Sequence, residues 1–223
     1  ADTIIAVGTR LGQSTTFFDD RFIQPGVNII QIEIDPEAIG RNYPVSVGIE
    51  GDAKAVVEGL LERVREREPS PNPQWAAQIE NWAARRTVRL RSEERLGSLP
   101  TKPQRVYPEL RRVMPRDAIV ALDAGLAPNF GQDRLNYYEP RSLLTPLDLG
   151  GLGFSFPAAL GAQLAAPNRP VVNFNGDGGF LFNAQEFSTA VEYNLPVISV
   201  VMNNGSWGSE KAYQRYAFNE RYI

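Results

Sequence analysis

Val171-Val172-Asn173-Phe174-Asn175-Gly176-Asp177-Gly178-Gly179 runs from an apolar segment straight into a glycine-rich turn carrying one carboxylate. The next apolar run, Val197–Met202, ends in Asn203-Asn204-Gly205-Ser206. Glycines let backbone amides approach phosphate oxygens, an Asp binds a hard cation, and an Asn oxygen with a main-chain carbonyl adds neutral ligands. A Mg²⁺ ion takes about six oxygens near ~2.1 Å. One carboxylate from Asp177, one carboxamide, one main-chain carbonyl, two phosphate oxygens and a water complete such a set. Read blandly, Gly176–Gly179 is a tight turn whose Asp caps the next helix. The Asn-Asn pair after the following strand favours a metal-bridged diphosphate, with the amides of Gly178 and Gly179 facing phosphate.

Outward from this stretch the chain alternates strand and helix. Val171–Phe174 and Val197–Met202 read as strands around a helix at Ala184–Tyr193, for which Asn183 and Glu186 predict a capping box. Upstream, Val106–Val113 reads as a short helix, Ala118–Leu122 as a buried strand, and Phe156–Ala166 as a helix of small residues. Strand, helix, strand in this order implies a parallel crossover, and ligands in such sheets sit at the carboxyl ends of strands. Asp123-Ala124-Gly125, Asn175–Gly179 and Asn203–Ser206 all fall at such ends.

The N-terminal block has the same alternation. Thr3–Val7 and Asn28–Ile34 are β-branched runs, the second leaving through Asp35-Pro36. Asp52–Arg67 has Ala53, Val56, Val57, Leu60, Leu61 and Val64 at helical spacing, with Asp52 as N-cap. Glu68-Pro69-Ser70-Pro71-Asn72-Pro73 breaks the pattern and reads as a linker. A charge-dense helix follows over Gln74–Leu96, with an apolar stripe at Trp75, Ile79, Trp82 and Ala83. The expected fold class is α/β, two doubly wound parallel-sheet domains. Their expected spans are 1–67 and 104–223, joined by a linker with a connecting helix over 68–103.

Composition narrows the chemistry. The 223 residues carry no Cys and no His, so disulfides, thiol nucleophiles, Ser–His hydrolysis and imidazole-bound zinc are excluded. The net charge of −3 gives no broad attraction for nucleic acid or acidic membrane, and neither partner is expected. Arg85, Arg86, Arg89, Arg91 and Arg95 are interleaved with Glu93 and Glu94, which suits a solvated connecting helix better than a nucleic-acid surface. No apolar run approaches the ~20 residues that span a bilayer. A strand that begins at once at the first residue, and an aromatic-rich close at Tyr222-Ile223, lead us to expect a piece of a longer polypeptide, cut at both ends.

On these residues the chain resembles the thiamine diphosphate (ThDP)-dependent enzymes of the acetolactate synthase and pyruvate decarboxylase superfamily, which carry Gly-Asp-Gly followed by Asn-Asn at this separation. The resemblance implies that Asp177, the Asn204 side chain and the Ser206 carbonyl ligate Mg²⁺, and that Gly178 and Gly179 touch the diphosphate. A second phosphate loop corresponds to Asp123-Ala124-Gly125-Leu126-Ala127, where only backbone contacts, as from Gly125, are implied. Gly150-Gly151-Leu152-Gly153 matches the loop that places a large aliphatic residue, here Leu152, under the cofactor. The carbonyl at Gly150 would accept from the aminopyrimidine, with Gly151 beside it. Ile29–Pro36 and Val45–Lys54 resemble the family's central domain, so that 1–67 is expected to be the C-terminal part of that domain and 104–223 a ThDP diphosphate-binding domain truncated at its C-terminus. Gly8-Thr9-Arg10-Leu11-Gly12 matches flavin-binding relatives only in part, and FAD is not expected.

The implied reaction is cleavage and ligation of C–C bonds, with ThDP and Mg²⁺, on a small-molecule 2-oxo acid or aldehyde. The implied protein is a cytoplasmic homodimer or homotetramer with its site at a subunit interface. The family's activating Glu belongs to a domain that nothing in this chain resembles, so the catalytic acid–base group is unassigned. Trp207-Gly208-Ser209-Glu210-Lys211 looks most like sulfoacetaldehyde acetyltransferases, making release of acetyl phosphate the alternative to acetolactate-type chemistry. Trp207, Glu210 and Lys211 either face substrate or open a helix with solvated charges. A non-catalytic scaffold of the same fold and an NAD-binding oxidoreductase are the readings of another class. The second lacks a Gly-x-Gly-x-x-Gly after the first strand and gives Asn203-Asn204 no role.

Overall fold

The computed structural model describes residues 1–67, 72–95, 97–146 and 149–222. They form two compact units, 1–76 and 77–223. The division falls inside a helix, within the span 68–103 expected to join the two domains; residues 68–71 of the proline-rich run lie outside the described residues, as do Leu96 and Ile223.

The first unit is a three-stranded parallel sheet of β1 (Thr3–Val7), β2 (Asn28–Glu33) and β3 (Val47–Glu50), in that order. A short helix, α1 (Gln13–Thr16), follows β1, and a 3₁₀ turn at Pro36–Ala38 is capped by Asp35, whose carboxylate accepts from the Glu37 amide at 3.0 Å. Ala6, Leu11, Ile23 and Ile29 make the core. Helix α2 (Ala53–Arg65) starts where the sequence predicts, with Asp52 Oδ1 accepting from the Ala55 amide at 3.0 Å. Its apolar stripe is only half-covered: Val57, Leu60, Leu61 and Val64 all remain exposed. Strand β3 goes unpredicted because Gly48 and the exposed Val47 weaken its pattern.

The second unit begins with most of α3 (Pro73–Glu94). Three charged residues of α3 find partners on other elements of its own unit. Arg86 pairs with Asp133 at 2.6 Å, and Glu93 and Glu94 meet Arg134 and Arg112. No residue of α3 is buried, and its Trp75–Ile79–Trp82 stripe stays half-exposed.

After α4 (Pro103–Val113) come β4 (Ile119–Leu122), α5 (Leu126–Arg134), β5 (Leu143–Leu144), α6 (Ser155–Ala165) and β6 (Val171–Gly176). The unit continues with α7 (Asp177–Asn183), a 3₁₀ turn at Ala184–Glu186, α8 (Phe187–Glu192), β7 (Ile198–Met202) and α9 (Gly208–Ala217). The strands form one parallel sheet in the order β5-β4-β6-β7.

Alternation along the strands sends side chains to both faces. Val120, Leu122, Val172 and Phe174 pack with Tyr107 and Leu135 on one side, whereas Ile119, Ala121 and Val171 pack with Ala159 on the other. Helices thus cover both faces, the layout that near-continuous apolar strands announce.

Two local expectations fail. The predicted helix at Ala184–Tyr193 is a 3₁₀ turn followed by α8, and the capping box between Asn183 and Glu186 does not form. Asn183 Nδ2 instead donates to the Gly153 carbonyl at 2.7 Å, and Glu186 accepts from the Thr189 hydroxyl at 2.8 Å. An Asn with a tertiary acceptor in reach is lost to local capping.

Candidate active site

Strands β4, β6 and β7 are parallel neighbours, with Leu122 in register with Phe174 and Gly176 with Met202. Their carboxyl ends therefore lie on one edge. Each of the three segments expected to bind ligand leaves from that edge.

The glycine-rich stretch itself is not a turn. Gly176 is the N-cap of α7, and Asp177, Gly178 and Gly179 are its first three helical residues. That places an acidic side chain at the positive end of a helix, and the Gly178 and Gly179 amides in a first turn where no intrahelical acceptor takes them.

The two glycines differ. A Cβ on Gly178 would meet nothing within 4 Å, whereas one on Gly179 would lie 2.9 Å from Asp123 Oδ1. Gly178 is exposed and Gly179 buried. Gly178 can face a ligand. Gly179 is glycine because a carboxylate occupies the space its side chain would need.

That carboxylate is what the sequence reading undervalued. Asp123 is 1% exposed, at the end of β4. Its oxygens accept from the amides of Ala124 (2.9 Å), Gly153 (2.9 Å) and Ser155 (2.8 Å). One side chain thereby ties the β4 loop to the Gly150–Ser155 segment that carries Leu152. Three amide donors to one ionised acceptor are strong hydrogen bonds. Ser155 extends the network. Its hydroxyl donates to Asn175 Oδ1 and lies 3.4 Å from Asn173 Nδ2, and Asn175 Nδ2 reaches Ser199 Oγ at 3.4 Å. The start of α6 is pinned under β6 by buried polar groups rather than by packing alone.

A second carboxylate joins the other two loops. Asp177 Oδ2 accepts from the Gly205 amide at 3.0 Å, holding the β7 loop against the start of α7. The Asn204 oxygen accepts from the Ser206 amide at 2.9 Å and its hydroxyl at 3.2 Å, so Asn204 and Ser206 form one tight turn. Gly205 makes this possible with φ of +61°. Among the described residues no group of three or more acidic or imidazole-type ligands converges. A cation bound here would have one carboxylate, Asp177, plus neutral oxygens and whatever charge its ligand brings.

These loops surround a cavity of about 440 Å³, whose wall includes Gly125, Leu152, Asp177, Gly178, Asn204 and Ser206. Gly179 and Trp207 also border it. The donor set and the glycine wall suit a diphosphate with a hard cation, and the aliphatic Leu152 and Leu126 suit an apolar ring system. Gly150 and Gly151 are not part of that wall. They lie in the loop before Leu152 with open space around them, Gly150 at φ +65°. Pro128, Leu181 and Phe182 border the cavity without a sequence signal, since only the folding of α5 and α7 brings them there. Glu210 and Lys211 line a neighbouring cavity on α9.

Comparison with known proteins agrees with this geometry. Residues 1–60 match the family described as "Thiamine pyrophosphate enzyme, central domain", and residues 123–223 match "Thiamine pyrophosphate enzyme, C-terminal TPP binding domain". Sulfoacetaldehyde acetyltransferase of Alcaligenes xylosoxydans xylosoxydans is 31% identical over all of this chain and 41% of its own length. The acetolactate synthase large subunit of Haemophilus influenzae is 34% identical, and isozyme 3 of Escherichia coli 35%, each over all of this chain and 38% of the relative. The chain thus spans about two fifths of the length of the curated relatives it matches. With both of its matching segments in family order, and the cofactor-type loops gathered on one sheet edge, the chain belongs to the thiamine pyrophosphate enzymes.

Proposed function

We propose that this chain holds the diphosphate half of the active site of a ThDP- and Mg²⁺-dependent enzyme that cleaves and forms C–C bonds on 2-oxo acids or aldehydes, in the manner of acetolactate synthase. The observation that carries the proposal is the gathering of Gly125, Leu152, Asp177, Gly178, Asn204 and Ser206 around one cavity at the carboxyl edge of β4, β6 and β7.

In this reading Asp177, the Asn204 oxygen and the Ser206 carbonyl hold Mg²⁺, with diphosphate oxygens and water filling the remaining positions. The amides of Gly178 and Gly179, and the backbone at Gly125, face the diphosphate. Gly179 serves in addition to admit Asp123. Leu152 supports the cofactor rings, its loop fixed by Asp123 through the Gly153 and Ser155 amides; Gly150 and Gly151 offer backbone groups just upstream. When bound, the cofactor supplies the nucleophilic carbon that attacks the substrate carbonyl and accepts the electron pair released on bond cleavage. The chain's own residues bind and orient. The activating Glu comes from outside residues 1–223, from a neighbouring subunit of a homo-oligomer, so these residues alone give no sustained turnover.

A second reading draws support from Trp207-Gly208-Ser209-Glu210-Lys211 and from the acetyltransferase relative. It differs in donor and acceptor, not in cofactor. A product assay on the full-length polypeptide separates the two. Acetolactate from pyruvate supports the first, and phosphate-dependent acetyl phosphate with sulfite from sulfoacetaldehyde supports the second. Neither product, in protein loaded with ThDP and Mg²⁺, contradicts both.

A further inference from the structure

A second cavity, of about 690 Å³, adjoins the first and is lined by Ser206, Trp207, Glu210, Lys211, Gln214 and Tyr222. The two cavities share Ser206 and Trp207. Their charge differs. Among the described residues, the wall of the first contains no Lys or Arg and one carboxylate, Asp177. Among the described residues in the wall of the second, Lys211 is the one cation.

The disposition of α9 leaves that cation available. Glu210 shares this wall, but as its neighbour on the helix the Glu210 carboxylate does not face the Lys211 ammonium. The Glu210 carboxylate is engaged by the Ser209 hydroxyl at 2.5 Å. Lys211 is exposed and forms no ion pair with a described carboxylate. Gln214 lies three residues further on the same helix, on the face that Lys211 occupies, and its carboxamide offers neutral donors. Trp207 and Tyr222 supply aromatic walls.

We propose that this second cavity is an anion subsite. The Lys211 ammonium and the Gln214 carboxamide hold the charged head, carboxylate or sulfonate, of a small substrate, and the shared Ser206–Trp207 wall leads its reacting carbon toward the first cavity. Among the described residues the wall of the first cavity offers no side-chain cation to a substrate's charged head, whereas the adjoining wall offers Lys211. That the bound anion is a substrate rests on the ThDP reading; that an anion binds at Lys211 does not.

Calorimetry on the full-length protein tests this, with and without ThDP and Mg²⁺, using propionate, ethanesulfonate and neutral propionamide as titrants. The expected result is saturable binding of at least one of the two anions, tighter than that of propionamide. Lys211→Met weakens it about 10-fold or more, Gln214→Ala weakens it less, and Lys211→Arg stays near wild type. Whichever anion binds more tightly identifies the head group. The ThDP affinity of Lys211→Met stays within about 2-fold of wild type, since no residue proposed for the cofactor is altered. The proposal is overturned if neither anion binds, if Lys211→Met binds them as wild type does, or if propionamide binds equally well. Failure of the cofactor reading shows separately, as absent ThDP uptake by the wild-type protein.

Discussion

Gly178 and Gly179 are neighbours in sequence and opposite in role. Gly179→Ala drives a Cβ to 2.9 Å from the Asp123 carboxylate in a buried place, where neither group can swing clear. It should cost about 1–3 kcal/mol, seen as a lowered denaturant midpoint without ligand. Gly178→Ala adds its methyl in open space, and should change stability by less than about 0.5 kcal/mol while weakening ThDP binding. Equal effects of the two substitutions on stability would contradict the assignment. Asp123→Asn keeps the shape of the side chain but loses one acceptor. A carboxamide cannot accept from both Gly153 and Ser155, and the mismatch should cost about 2–4 kcal/mol. In protein that still folds, the wedge loop at Leu152 loses its anchor, and ThDP affinity falls with it. The importance of Asp123 was not legible in the sequence, because two of its three attachments depend on residues about thirty positions away being folded back onto β4.

Among the elements, strands and their carboxyl ends were legible because the sheet is buried on both faces, so β4 appears as an unbroken apolar run and β6 as Val171, Val172 and Phe174 interrupted only by Asn173 before its polar end. Helix α2 was equally legible from its period and its Asp52 cap. Strand β5, with two residues, and α5, with Pro128 and Gly131 inside it, give no such pattern. Gly131 is required by packing alone, since a Cβ there would come within 2.7 Å of Leu122. The same region gives a pH prediction. Burial pushes the phenols of Tyr107, on α4, and Tyr137, just beyond α5, well above the ordinary Tyr value. A raised folded-state value means that the contribution is complete below about pH 10, the unfolded value, and is lost as pH rises through the folded one. Tyr107→Phe and Tyr137→Phe should each flatten the alkaline limb of a stability–pH curve above about pH 10. Tyr137→Phe should in addition cost about 1 kcal/mol at neutral pH, for the hydrogen bond its hydroxyl donates to the Gly131 carbonyl at 3.0 Å. An unchanged alkaline limb in both variants would show that burial does not govern these phenols. By contrast, the Arg86–Asp133 pair lies on the surface, and Arg86→Ala should cost under about 1 kcal/mol.

At the scale of the molecule, the parallel order β5-β4-β6-β7 makes the site. It sets three loops from separate parts of the sequence side by side, so a diphosphate-type cavity arises from topology before any side chain is considered. The order of the loops was legible from chain position; their joining by Asp123 and Asp177 was not, because a hydrogen bond between loops leaves no period or spacing to read. The central claim is that the Asp177 edge binds ThDP through a divalent cation. Calorimetric titration of the full-length polypeptide with ThDP, with Mg²⁺ and with the metal chelated, measures this directly, alongside Asp177→Ala. We expect saturable binding with Mg²⁺ and binding on the order of 100-fold weaker or absent without it or in Asp177→Ala. Equal affinity for ThDP in all three samples, or no binding by the wild-type protein, would contradict it.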